Sequence, residues 1–134
     1  GRGRACFLFC YLPSGRRIAY HRPRLREGMY NKLQIQYYGV NSTTKKYGIQ
    51  TTYGGKLVEN TTQAVAADFL MDGMLDIDVH GYPIILTVHD EPVAEVPEGN
   101  GSIEEFNTLV EKVPEWAQRI PLAADGDEAE RYKK

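Results

Sequence analysis

The segment from Lys56 to about Val79 constrains this chain most. It contains no proline and one internal glycine, Gly73, and it is bracketed by the breakers Tyr53-Gly54-Gly55 and Gly81-Tyr82-Pro83. Such a stretch reads as one long helix. A helix of this kind is marginal alone and has to rest a face on something else. At about 100° per residue, Lys56, Asn60 and Gln63 share one narrow stripe. Farther along, the same stripe carries Ala67, Leu70, Met71 and Met74. Two readings fit a stripe that is polar first and apolar later. Either the first half faces a polar ligand while the second packs on a sheet, or the first half is simply solvated.

The rest of the chain supplies strands and one more helix. Ala5 to Leu12 is apolar and aromatic, a strand pattern. Pro13-Ser14-Gly15 is a turn signal, and Arg16 to His21 reads as the return strand. Pro23 to Gly28 reads as a basic connector. From Lys32 to Gly39, Leu33, Ile35 and Tyr37 alternate with Gln34, Gln36 and Tyr38, a strand of period two. Asn41 to Lys46 is a polar loop, and Tyr47 to Thr52 a further short strand. Near the C-terminus Ser102 stands three residues before Glu105, in capping-box register. The helix it opens is expected to reach about Gln118, with Pro114 kinking it or ending it near Val113. Phe106, Leu109, Val110, Val113 and Trp116 form its apolar stripe and are expected in the core. The charged tail from Asp125 to Lys134 reads as loose. These elements make an α+β fold, and the length fits a single domain.

The net charge of −2 hides a strong asymmetry. Residues 1–32 hold eight Lys and Arg against one acid, residues 33–70 three against two, and residues 71–134 five against fifteen. A basic beginning suits a polyanion, and an acidic end suits solvation or metal binding. Two solvated surfaces of opposite sign give the same numbers. Arg16, Arg17, Arg22, Arg24 and Arg26 are candidates for phosphate contact, with no motif to choose among them. Cys6 and Cys10 match no zinc spacing. They are expected to be reduced packing residues of a strand, which suits the cytosol. No apolar run approaches about 20 residues, so no membrane-spanning helix is expected, and no secretory signal pattern is visible. The chain begins at Gly1 rather than Met, and a fragment or processed product is expected.

Ile84 to Val88 and Pro92 to Val96 flank His89, Asp90 and Glu91. This reads as a β-hairpin with a carboxylate pair at its tip. A bare His-Asp-Glu triplet is more often a tight turn with solvated acids. However, acids beside a run that looks as buried as Ile84 to Val88 are usually paired or bind metal. Two adjacent carboxylates offer hard oxygen ligands suited to Mg²⁺ or Mn²⁺.

Five motifs in order resemble the palm of family A DNA polymerases, the DNA polymerase I family, in its bacteriophage branch. Val88-His89-Asp90-Glu91 is similar to the family's motif C. Asn60-Thr61-Thr62-Gln63-Ala64-Val65-Ala66-Ala67-Asp68 is similar to the helix that precedes it. Tyr53-Gly54-Gly55-Lys56-Leu57-Val58-Glu59-Asn60, Leu12-Pro13-Ser14-Gly15-Arg16 and Arg131-Tyr132-Lys133-Lys134 resemble the phage branch in particular. The resemblance covers nearly the whole chain, residues 1–134, and implies the C-terminal part of a palm: an antiparallel sheet, a long helix packed on one of its faces, and a C-terminal helix.

The resemblance implies template-directed nucleotidyl transfer with two Mg²⁺ ions, on primer–template DNA and a deoxynucleoside triphosphate. Asp90 is then a metal ligand and Glu91 the neighbouring acid, a supporting or water-mediated contact. His89 is similar to the histidine beside the primer terminus. Lys56, Asn60 and Gln63 match positions that touch the minor groove of the nascent duplex, where acceptors common to every Watson–Crick pair report geometry rather than sequence. Asp68 is expected to be a structural hydrogen-bond partner. The implied location is the cytoplasm, that of the bacterial host for a phage or prophage gene.

The sequence also departs from the family pattern. The family often has Arg where Lys56 stands, and a bulky apolar residue where Pro92 stands. No Asp-Tyr/Phe-Ser-x-Ile/Leu-Glu segment (motif A, the source of the other metal-binding Asp) is present, nor the fingers helix with its Arg, Lys and Tyr-Gly, nor an exonuclease domain. Motif A and the fingers would have to come from the remainder of the polymerase, in the same chain or another, and the isolated chain is expected to be inactive. The rival reading is a non-catalytic remnant or accessory domain that binds duplex DNA or a partner subunit. A stand-alone metal nuclease built on Asp90 and Glu91 lacks a further acid in a recognisable motif.

Overall fold

The computed structural model describes residues 6–28 and 31–132. Ala5, at the start of the first expected strand, and Lys133 and Lys134 of the C-terminal motif lie outside them. The chain forms two compact units, residues 1–65 and 66–134. The fold is α+β, with an antiparallel sheet, a long helix and a C-terminal helix.

The first unit is a four-stranded meander, β1 (Phe7–Tyr11), β2 (Arg17–Glu27), β3 (Leu33–Val40) and β4 (Tyr47–Thr52), paired in chain order and antiparallel throughout. The β1–β2 loop explains Leu12-Pro13-Ser14-Gly15-Arg16. Leu12 N–H donates to Arg16 O at 2.8 Å, and Gly15 N–H donates back to Leu12 O at 2.9 Å. Proline suits the first corner of such a turn. Gly15 takes φ +86°, which a side chain would resist.

Pro23 to Gly28 is not a connector. β2 runs straight through Pro23, by means of a bulge between His21 and Arg24 where Arg22 takes φ +49°. A bulge is one of the few places where a strand accepts proline, because the missing N–H leaves no ladder bond unmade. The β3–β4 loop is tied by Asn41, whose Oδ1 accepts from the N–H groups of Thr43 and Thr44, both at 2.9 Å.

The long helix α1 (Gly54–Val79) ends where expected and begins two residues early, so that Gly54 and Gly55, expected as a break before it, form its first turn. Its first half packs on one face of the sheet. Cys10 Sγ lies 3.7 Å from Thr61 Oγ1, and Arg16 Nη2 donates to Ala64 O at 2.9 Å. Leu12, Tyr20 and Thr52 are buried here, with Tyr20 edge-on to Tyr37. Cys6 and Cys10 are free thiols. Cys10 is half-buried within β1, and Cys6 is exposed just before it.

In the second unit α1 uses a different stripe from the one expected. Ala67 and Met71 are exposed, and Leu70 and Met74 only half-buried. The buried positions are Asp68, Gly73 and Ile77. The stripe Phe69, Asp72, Gly73, Asp76 packs against the C-terminal segment rather than a sheet. Phe69 meets Trp116 with ring centroids 4.7 Å apart, Trp116 Nε1 donates to Asp72 Oδ2 at 2.7 Å, and Lys112 pairs with Asp76 at 2.9 Å. Gly73 lets the Val110 backbone approach; a methyl group there would sit 3.7 Å from Val110 O.

The C-terminal helix α2 (Ile103–Val110) starts at the expected cap and stops early. Pro114 has no N–H to offer the carbonyl of Val110, and it disfavours helix at Val113, so the last turn fails there. A 3₁₀ turn, Glu115–Ala117, follows. Phe106, Leu109, Val110, Val113 and Trp116 are half-buried rather than core; Ile77, Tyr82 and Ala117 are the buried apolar residues of this unit. The cap is a relay. Ser102 Oγ accepts from Glu105 N–H at 3.1 Å. The Tyr82 hydroxyl accepts from Ser102 N–H at 3.0 Å and donates to Glu105 Oε2 at 2.5 Å. Tyr82 thus stands between the two halves of an ordinary capping box.

Candidate functional site

The strands β5 (Ile84–Val88) and β6 (Glu91–Ala94) form a two-stranded ribbon. Val88 pairs with Glu91, so the connecting loop is His89-Asp90 alone. Glu91 therefore opens β6 instead of sharing the tip with Asp90, a shift of one residue from the expected placement. His89 has φ +58°. Histidine reaches that region more readily than most residues, but it remains an uncommon conformation outside glycine. The two-residue connection requires it, because hairpin turns this short need positive φ to match the twist of the strands.

The run Ile84 to Val88 is not buried as its composition suggests. Ile85 is 58% exposed and Leu86 39%. A two-stranded ribbon has two faces, and among the described residues too little packs on either to cover both. The argument from burial to paired or metal-bound acids therefore fails. His89, Asp90 and Glu91 are all exposed.

On α1, Lys56, Asn60 and Gln63 follow one another at four and three residues and lie on one stripe, as expected. Lys56 Nζ pairs with Glu59 Oε2 at 3.1 Å, both side chains about half exposed. Such a surface pair contributes little and yields to a better partner. Asn60 is half-buried and Gln63 exposed. The side chains of Asn60, Gln63, His89, Asp90 and Glu91 make no hydrogen bond or ion pair among the described residues, so their polar groups remain available to a ligand.

Among the described residues, no three His, Cys, Asp or Glu side chains gather as a metal site. Asp90 and Glu91 offer two exposed carboxylates in sequence. That is the donor chemistry Mg²⁺ prefers, since it binds through one or two carboxylates and completes its shell with water and phosphate oxygens. The residues fit the ion in kind, and the remaining ligands have to come from substrate, solvent or another acid. Asp68 is buried, in keeping with a structural role. Among the described residues no helix is long and apolar enough to cross a membrane.

No family model matches the chain, and no solved structure matches it. Among curated proteins the chain is 41% identical over 128 residues to a DNA polymerase of Bacillus phage SP02. The match takes in 95% of this chain and 20% of that protein, so the chain spans about a fifth of the length of the relative it resembles.

Proposed function

We propose that this chain is the C-terminal part of the palm of a family A DNA polymerase and takes part in template-directed nucleotidyl transfer. The observation that carries the reading is the 41% identity over 128 residues to a phage DNA polymerase. The turn His89-Asp90, closed by Glu91 and with all three side chains uncommitted, agrees with it.

Asp90 is the residue that would hold Mg²⁺, with Glu91 supporting it through water. When bound, the two ions of this chemistry acidify the primer 3′-hydroxyl and neutralise charge on the transferring phosphate. His89 lies beside the primer terminus. Lys56, Asn60 and Gln63 donate hydrogen bonds from one helical stripe to acceptors in the minor groove, which sense pairing geometry. The missing metal ligand and the nucleotide-binding fingers belong to the remainder of the polymerase. The rival, an accessory domain without catalysis, draws on the same structure, because two carboxylates alone do not complete a two-metal site.

One exchange separates the two. The matched segment of the phage polymerase is replaced by this chain, and primer extension is measured with Mg²⁺. Extension is expected. Asp90→Ala should abolish it, a loss of many powers of ten, while primer–template binding persists because affinity comes mostly from basic groups. Gln63→Ala should cost roughly ten- to a hundredfold, that of one hydrogen bond worth ~1–3 kcal/mol, and blunt discrimination against mismatched ends. Near-normal extension by the Asp90→Ala chimera would sink the motif C assignment.

A further inference from the structure

The sheet face opposite α1 is unlike an ordinary solvated face. Register places Phe7, Phe9 and Tyr11 of β1, His21 of β2, Tyr38 of β3 and Tyr47 of β4 on it. The rings form a continuous band across all four strands. Phe7 and Phe9 stack at 5.8 Å, Phe7 and His21 at 4.9 Å, and Tyr38 and Tyr47 at 6.2 Å. His21 Nδ1 and Tyr47 Oη are 2.8 Å apart. Tyr11 is 70% exposed, Tyr47 61% and Phe7 46%. Contiguous aromatic surface on this scale marks a binding site.

The bulge in β2 decides what else lies there. His21 pairs with Tyr38 and Arg24 with Gln36, so β2 advances three residues while β3 advances two. The extra residue turns Arg24 and Arg26 onto the aromatic face, where an unbroken strand would have put them under α1. Arg17 is on this face as well, its guanidinium 4.5 Å from the Phe9 ring centre. Glu27, the sole acid between residues 6 and 58, pairs with Leu33 and belongs to the opposite face. The face is therefore aromatic and cationic, with no carboxylate among its described residues.

We infer that this face binds single-stranded nucleic acid. Its chemistry is that of a stacking platform: rings for the bases, and guanidinium groups for the phosphates and for stacking. A protein partner would have to bring its own carboxylates, since the three arginines of one sign meet no acid on this face, whereas a nucleic acid supplies negative charge at every phosphate. The inference rests on the sheet alone and stands or falls separately from the polymerase reading.

The test is fluorescence anisotropy of a labelled oligothymidylate of about 12 nucleotides with the 134-residue chain, at two salt concentrations, with blunt duplex as competitor. Binding is expected, with duplex a poor competitor. Tyr11→Ser should weaken it roughly five- to a hundredfold, and Tyr11→Phe should restore it, because stacking needs the ring and not the hydroxyl. Arg24→Ser with Arg26→Ser should reduce the salt slope by about 1.4. Leu75→Ser, an exposed change on α1, should leave binding unaltered. Circular dichroism of each variant checks that the sheet is intact, and Tyr11, at an exposed position, is the variant least able to unfold it. Absent binding at low salt, binding indifferent to Tyr11→Ser, or equal loss in Leu75→Ser would overturn the inference. So would self-association that Tyr11→Ser removes in a chain that binds no oligonucleotide, which would give the face to a protein.

Discussion

His89→Gly separates what the turn needs from what the site needs. An L-residue in the left-handed region costs roughly 1–2 kcal/mol, and histidine, one of the residues enriched there, sits near the lower figure. At φ +58°, with a ring that meets no hydrogen-bond partner among the described residues, His89 gives the fold little in return. Glycine removes that cost but returns about 0.5–1 kcal/mol through the entropy of the unfolded chain. The expected net change is within about 0.5 kcal/mol of zero. His89→Val should instead lose about 2 kcal/mol, because a β-branched residue is a genuine outlier at positive φ. Urea unfolding of the 134-residue chain, with the slope checked for constancy, measures both. In the chimeric polymerase, His89→Gly should lower extension although the fold is unharmed, the trade-off expected where function holds a strained residue in place. A loss above about 1.5 kcal/mol in His89→Gly, or no loss in His89→Val, would refute the backbone argument.

Other variants probe the second unit. Gly101→Ala should destabilise by about 2–3 kcal/mol in thermal or urea unfolding, because Gly101 has φ +80° and a methyl there would come 2.5 Å from Tyr82 Oη. Trp116→Phe keeps an aromatic ring against Phe69 and deletes the bond to Asp72, so it should cost about 1–1.5 kcal/mol, with a coupling of similar size in a double-mutant cycle with Asp72→Ala. The hydrogen bond to Glu105 raises the Tyr82 pKa above its usual 10.0, so the folded state favours the protonated phenol. Its contribution is complete below pH 10 and is lost as the pH climbs through the raised value; unfolding curves should show an alkaline loss that Tyr82→Phe removes.

The sequence revealed those elements whose pattern is local. α1 was legible because nothing breaks it between Gly55 and Gly81, and β3 because its residues alternate. The turn at Gly15 and the cap at Ser102 follow from residue types that few other conformations use. What was missed depends on long-range partners. Pro23 looks like the end of a strand until β3 supplies the bulge that accommodates it. α2 is expected to reach about Gln118, with Pro114 kinking it or ending it near Val113, but the missing N–H acts four residues back, at Val110, where the helix stops. The stripe of α1 that became buried contains Asp68, Asp72, Gly73 and Asp76, which no hydropathy pattern would select. Trp116 and Lys112 give two of those acids partners from another segment. Ile84 to Val88 misled in the opposite sense, since an apolar run shows what a strand could bury and not what lies opposite it. For the candidate site, the residue types and the hairpin were readable, while the two-residue length of its turn, the positive φ of His89 and the one-residue shift of Glu91 needed the pairing register.

The two compact units also divide the charge. Residues 1–65 hold eleven Lys and Arg against two acids, and residues 66–134 hold five against sixteen. A chain so divided cannot treat DNA as a uniform basic surface would. The basic first unit suits a polyanion, and the residues proposed for minor-groove contact stand on the half of α1 that belongs to it. The second unit repels phosphates unless something offsets its acids. Tyr82 and Trp116 occupy Glu105 and Asp72 with hydrogen bonds, and Lys112 pairs with Asp76. Asp90 and Glu91 have no such partner among the described residues; Asp90 follows His89 in the two-residue turn, and Glu91 opens β6 beside it. Under the proposed function, the exposed carboxylates of Asp90 and Glu91 are the groups through which a divalent cation would mediate the second unit's contact with phosphate.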